Sequence, residues 1–144
     1  MMRSHGECSI HSADRLLWIV VSGGINYEFA CHYRDTVRAA ARALGPGPWL
    51  RVTDLRHWQL GGPEVIPPLQ ELMQWCEGHE LAHSINIVSM VNLQKHMLDQ
   101  MMAGVARRSQ RHLARSVEEA SQQVQQLAPA LDLAPLLAAA YPGH

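Results

Sequence analysis

The stretch from Trp49 to Glu64 (WLRVTDLRHWQLGGPE) constrains the fold of this chain more than any other. It reads as a buried strand from Trp49 to Asp54, then a polar loop carrying Arg56, His57 and Trp58. A glycine break at Gly61 and Gly62 follows, and a helix opens at Pro63 and Glu64. Strand, loop and helix start in that order form half of a βαβ crossover. Asp54 and the polar loop then fall at the carboxyl end of a strand, where open α/β sheets place their sites.

The rest of the chain supplies the other halves. Leu16 to Val21 (LLWIVV) is apolar throughout and reads as a central strand covered on both faces. Before it, Glu7 to Ser12 makes a short edge strand, with a turn at Ser12 to Asp14. From Asn26 the period becomes helical, with Tyr27, Ala30, Tyr33, Val37, Ala40, Ala41 and Leu44 on one face. Asn26 suits the N-cap and Gly45 the position just past the helix end. The next helix runs from about Pro63 to Cys76 or Glu77 on the stripe Val65, Leu69, Leu72, Met73 and Cys76. Pro67 and Pro68 fit it only within its first turn. Ser84 to Ser89 is a third core strand, and Asn92 caps a helix with Leu93, Met97, Met101 and Val105 inward. His112 to Arg115 is a short last strand, and Ser116 with Glu119 forms a capping box before Val117, Ala120, Val124 and Leu127.

The order β-β-α-β-α-β-α-β-α calls for an α/β fold with a mixed, mostly parallel five-stranded sheet and about four helices. Only the first two strands, joined by a short turn, must pair antiparallel. At 144 residues the chain is expected to be one domain, able to bury roughly 70% of its unfolded surface, with a core over about 7–128 and an Ala/Leu/Pro tail over 129–144. In that tail Leu133, Leu136, Leu137 and Tyr141 would leave an exposed apolar patch unless they add a helix or meet a neighbouring subunit. The second route predicts a homo-oligomer.

Composition narrows the function classes. A formal net charge of −1 gives no field to gather nucleic acid or anionic membrane. The one basic cluster, Arg107, Arg108, Arg111, His112 and Arg115, lacks a motif to set it on a duplex, so no nucleic-acid partner is expected. The longest apolar run is far below the ~20 residues of a membrane span, and the first residues contain no apolar signal region. Three widely spaced cysteines argue against a disulfide framework and for a reducing, cytoplasmic setting.

Order and residues together resemble the STAS fold of anti-sigma-factor antagonists, and within it the small free-standing bacterial proteins described as SpoIIAA-like. The carrying segments are Gly24 to Glu28 with Tyr33, Trp49 to Leu60 with Pro63 and Glu64, Ile85 to Ser89, and Glu118 to Ala120; the likeness spans roughly residues 7 to 128. It implies a regulatory module that meets a protein partner through the loops at the strand carboxyl ends. In the phospho-regulated antagonists the helix after the strand matching Trp49–Asp54 opens on a phosphorylated serine. Here no Ser or Thr occurs from Leu55 to Glu64, so no phospho-switch is expected.

Candidate partner-binding residues are therefore Asn26, Asp54, Arg56, His57 and Trp58. Asp54, Arg56 and His57 could form an acid–base cluster, but the plainer reading has Asp54 bracing the loop backbone. Trp58 is either a lid over the core or a contact residue. No catalytic motif is found: nucleophile arrangements are absent, and neither glycine pair carries the Lys and Ser/Thr of a phosphate-binding loop. Cys76, His79 and His83 have metal-ligand chemistry without a fourth group to complete a shell, so neither metal nor cofactor is expected. Met90, Met97 and Met101 are core filler at helical spacing or the lining of an adaptable pocket. That pocket would make the chain a small apolar-ligand-binding protein, the alternative to the interaction module.

Overall fold

The computed structural model describes residues 6–89 and 91–143, apart from the side chains of residues 60 and 91–93. Met90, expected to line a pocket, lies outside the described residues. Five strands form one sheet in the spatial order of the sequence: β1 (Glu7–Ala13), β2 (Leu16–Ile25), β3 (Trp49–Leu60), β4 (Leu81–Ile87) and β5 (Gln110–Ala114). β1 runs antiparallel to β2, and every later pair is parallel. Connecting β2 to β5 are α1 (Tyr27–Ala43), α2 (Ile66–Glu77) and α3 (Val91–Met102), and α4 (Val117–Leu127) follows β5. A fifth helix, α5 (Ala134–Ala140), ends the chain. This is the expected α/β architecture with one helix more.

Two cores follow from the period-2 alternation of β2. Leu17, Ile19 and Val21 face α1, α2 and α3, whereas Leu16 and Trp18 face α4 and α5. Burial on both sides is why Leu16 to Val21 carries no polar residue. On α1, Ala30, Tyr33, Val37 and Ala41 are buried as the helical period requires. Phe29 takes the inward place expected of Tyr27, which is 52% exposed. The side-chain carbonyl of Asn26 accepts from the backbone N–H of Phe29 at 2.8 Å, which fixes the start of the helix. Pro67 and Pro68 both fall in the first turn of α2, after a single 3₁₀ turn at Pro63–Val65, so neither removes an internal helix bond. The Ser116 hydroxyl accepts from Glu119 N–H at 3.0 Å and opens α4.

The apolar tail does not stay open. α5 packs on β1 and β2, and Leu133, Leu136 and Ala140 join Leu16 and Trp18 in the second core. The patch that suggested self-association is thus covered by the chain's own sheet.

Arg15, in the β1–β2 turn, ties the lower edge together. Its guanidinium donates to the carbonyls of Leu44, Gly45, Gly47 and Pro48. Leu44 caps the end of α1 and the other three carbonyls belong to the loop that leads from it to β3, so the guanidinium holds helix end and loop together, and a cation there also complements the helix dipole. Replacing Arg15 with Ala is expected to lower unfolding stability by about 1–3 kcal/mol. Arg15→Lys should recover only a minor part of it, because one ammonium cannot span the four acceptors; urea denaturation of the two variants measures both.

Candidate functional site

β3 departs from expectation in the segment expected to carry the site. The segment Leu55–Leu60 is not a loop: it continues the strand, pairing His57 with Ser22, Trp58 with Gly23, Gln59 with Gly24 and Leu60 with Ile25. Between Val20 and Ser22 the register shifts, so Leu55 and Arg56 together oppose Val21. The extra residue is a β-bulge, and it inverts the side-chain alternation beyond it. Without it Trp58 would share the face of Asp54. With it, Trp58 enters the α1–α3 core at 7% exposure, next to Ile25 and Leu55. The expectation that Trp58 could be an open contact residue is corrected accordingly: it is a core residue. His57, paired with Ser22, stays exposed.

Asp54 is also buried, at 1% exposure, on the α4–α5 face. Arg56 grips it through both carboxylate oxygens, Nε to Oδ1 at 2.9 Å and Nη2 to Oδ2 at 2.8 Å, and the Arg56 backbone N–H adds a third bond at 3.2 Å. The Tyr141 hydroxyl, just past α5, donates to Oδ2 at 2.8 Å and accepts from the indole N–H of Trp18 at 2.9 Å. Burial pushes the Asp54 carboxyl up, but the bonds from Arg56 and Tyr141 together outweigh it and hold it below the ordinary carboxylate range. Burial, with the neighbouring Asp54 charge, pushes the Tyr141 phenol up, so it stays protonated and donating. The sequence tied Asp54 to its loop; the partner it missed, Tyr141, lies 87 residues away.

The other candidates separate. Cys76 is buried on the α1–α3 face, His79 stacks on Trp75 with ring centroids 4.1 Å apart, and His83 faces His112 with Nδ1 and Nε2 3.1 Å apart. Of the basic cluster, Arg111 is paired with Asp99 at 2.7 Å, and the Arg108 backbone N–H donates to Glu77. Met101 is buried at the α1–α3 face, and Met97 is half-buried beside it.

A second polar group sits inside that face, and the sequence reading did not single it out. Arg51, 6% exposed, points from β3 toward α2, where Nη2 donates weakly to the Met73 sulfur at 3.7 Å. Glu77, at the end of α2, is equally buried and accepts from Ser109 N–H at 2.8 Å, from the Ser109 hydroxyl and from Arg108 N–H. Burial raises its pKa, and those bonds with the Arg51 charge more than cancel the rise. Arg51 and Glu77 border a seam between sheet and helices whose upper walls are Val21, Leu55, Trp58, Leu98 and Met101. Its empty space totals about 650 Å³, counting the part open to solvent, of which about 30 Å³ admits a water-sized sphere. A signal was present: a charged residue in the middle of Trp49–Asp54, a strand covered on both faces.

No protein-family model matches the chain, and neither does any curated protein. Among solved structures it is similar to an anti-sigma factor antagonist from Mycobacterium paratuberculosis, at 15% identity and a TM-score of 0.54, over 83% of this chain and 94% of that one. It is also similar to an uncharacterised protein from Shewanella loihica described as having a SpoIIAA-like fold. There the identity is 10% and the TM-score 0.63, over 85% of this chain and 96% of the other. The chain therefore has the STAS-type, SpoIIAA-like fold.

Three variants test this geometry. Trp58→Ala is expected to cost about 3–5 kcal/mol in urea unfolding, whereas His57→Ala should stay within about 0.5 kcal/mol of the parent. Tyr141→Phe leaves the Trp18 N–H and one Asp54 lone pair without a partner and should cost about 1–3 kcal/mol at pH 7. Because the folded state depresses the Asp54 pKa, its contribution is complete above the unfolded value of about 3.9 and is lost as pH falls through the folded one. The stability gap between parent and Tyr141→Phe should thus narrow below about pH 4 without closing, since the Trp18 N–H stays unpaired.

Proposed function

We propose that the chain is a non-enzymatic regulatory module that binds a protein partner at the carboxyl rim of β2 and β3. Extension of β3 to Leu60 moves that rim beyond the segment first expected. It now comprises the β2–α1 junction at Asn26 to Glu28 and the turn from Gln59 to Glu64, joined where the Gly61 N–H donates to the Ile25 carbonyl at 2.9 Å. The observation that carries the reading is Tyr27. It is the most exposed large aromatic side chain among the described residues, and it stands on a helix start fixed by the Asn26 cap. Aromatic side chains on a preorganised backbone are common anchors of protein interfaces. Glu28, Gln59, Pro63 and Glu64 are also exposed along this rim, and Arg34 and Glu71 add charge near Tyr27.

Asp54 is buried on the opposite face of the sheet and Arg56 is committed to it, so neither is offered to the partner, whereas His57 is exposed on β3. The resemblance to an anti-sigma factor antagonist fits a partner-binding role. Three free cysteines and the lack of any described helix long and apolar enough to cross a membrane fit a cytoplasmic protein. A non-enzymatic role agrees with the full commitment of the Asp54 carboxylate to Arg56 and Tyr141.

The test is a double variant, Tyr27→Ser with Glu64→Arg. Its thermal midpoint should match the parent, and it should fail to retain a partner protein that the parent carries through affinity purification from its native cells. Retention of that partner by the variant would move the interface elsewhere. Recovery of no partner by the parent would remove the reading.

The alternative, a small apolar-ligand binder, is favoured by one observation of its own. The seam beneath α3, to which Met101 contributes, has buried polar groups at one end and apolar walls above them.

A further inference from the structure

Arg51, Ser84 and Arg111 are successive partners across β3, β4 and β5. With parallel strands about 4.8 Å apart, the two arginine backbones stand about 10 Å apart with the small Ser84 between them. Arg51 is more than nine-tenths buried, and its Nε and Nη1 have no hydrogen-bond acceptor among the described residues. Nη1 of Arg111 is buried without an acceptor as well, while its Nη2 is held by Asp99. Both residues line the same seam. Glu77 offsets part of the charge, but its oxygens are engaged by Ser109 and Arg108, and it makes no ion pair with Arg51 among the described residues.

Three guanidinium nitrogens, Nε and Nη1 of Arg51 and Nη1 of Arg111, are removed from water beside one void without acceptors, which is costly unless an anion meets them. Thr53 and Asn86 sit one row further up the sheet, and above them the walls turn apolar with Leu55, Leu98 and Met101. From Arg51 to Trp58 this slot is about 20 Å long at the usual rise of a strand.

We propose that the seam binds a monocarboxylate with an apolar tail. Its carboxylate sits between Arg51 and Arg111, and its tail runs beneath α3 along Leu55 and Met101. The inference rests on the ligand-binding reading above and adds to it the head group and the direction of entry. About 30 Å³ of the seam is wide enough for water, room for a small polar head but not for the tail as the side chains stand. The tail gains room as Met101 and Met102 change rotamer, since unbranched thioethers repack easily. Planar guanidinium groups match a carboxylate in shape and charge.

Isothermal titration of the full chain with decanoate, decanol and acetate tests it. Decanoate is expected to bind saturably, one per chain, and acetate and decanol at least about tenfold more weakly. Arg51→Met should weaken decanoate at least about tenfold while its thermal midpoint equals or exceeds that of the parent, because a buried charge with unmet donors has gone. Met101→Trp, which blocks the tail and leaves both arginines, should lose decanoate and keep acetate. If Arg51→Met fails to fold, this second variant decides, and decanoate binding unchanged by it overturns the proposal. Decanol binding as tightly as decanoate would overturn the head group while leaving an apolar pocket. Acetate binding as tightly as decanoate would reduce the seam to a small-anion site. Saturable binding of none of the three would remove both the pocket and its ligand.

Discussion

The pairing of β2 with β3, and the single extra residue within it, is the constraint on which the remaining structure depends. Below the bulge the two strands alternate in step, and each buries side chains on both faces. Above it the phase of β3 is inverted, so Trp58 supports α1 and α3 while His57 faces outward. A one-residue change in register moves every later side chain to the other face. Deleting the bulge would therefore exchange an indole in the core for an imidazole. The same irregularity leaves Arg56 free to fold back on Asp54, since the bulged pair does not alternate cleanly between the faces.

That return contact explains how the last helix is held. α5 is only seven residues long, too short to persist without tertiary support. Its apolar residues cover Leu16 and Trp18, and the Tyr141 hydroxyl locks the end by joining Trp18 to Asp54. A buried carboxylate would be destabilising if unpaired. Here it receives a bidentate guanidinium, a backbone N–H and a phenol, which together satisfy its lone pairs. The charge thus stabilises one arrangement of the tail rather than merely being tolerated.

Much of the architecture was legible in the sequence because its signals were local. Leu16 to Val21 announced a strand with two covered faces, Asn26 and Ser116 announced helix starts, and the α2 stripe from Val65 to Cys76 announced its buried side. The end of β3 was not legible in the same way. Arg56 and His57 side by side interrupt the alternation of a strand and imitate a polar loop, and only the partner strand reveals a bulge. α5 was ambiguous for a related reason. An apolar tail must cover something, but which surface stands open is decided by a sheet assembled from residues far away in the chain. Neither Tyr141 beside Asp54 nor Arg111 in line with Arg51 follows from any short-range pattern.

The two faces of β3 solve the same electrostatic problem in opposite ways. On one, Asp54 is buried with every acceptor engaged, which is how charge is kept inside a stable fold. On the other, Arg51 three residues earlier is buried with two of its nitrogens unmatched, although Glu77 lies on the same wall. Strand geometry does not require an arginine there: the positions beside it in the sheet are Leu17 and Ser84, and an apolar residue would fit the core without the cost of desolvating a charge. Local conflicts with packing are expected to concentrate where a protein acts rather than where it merely holds together. By that criterion the Asp54 network belongs to the scaffold, and the face carrying Arg51 is the one whose composition stability alone does not explain.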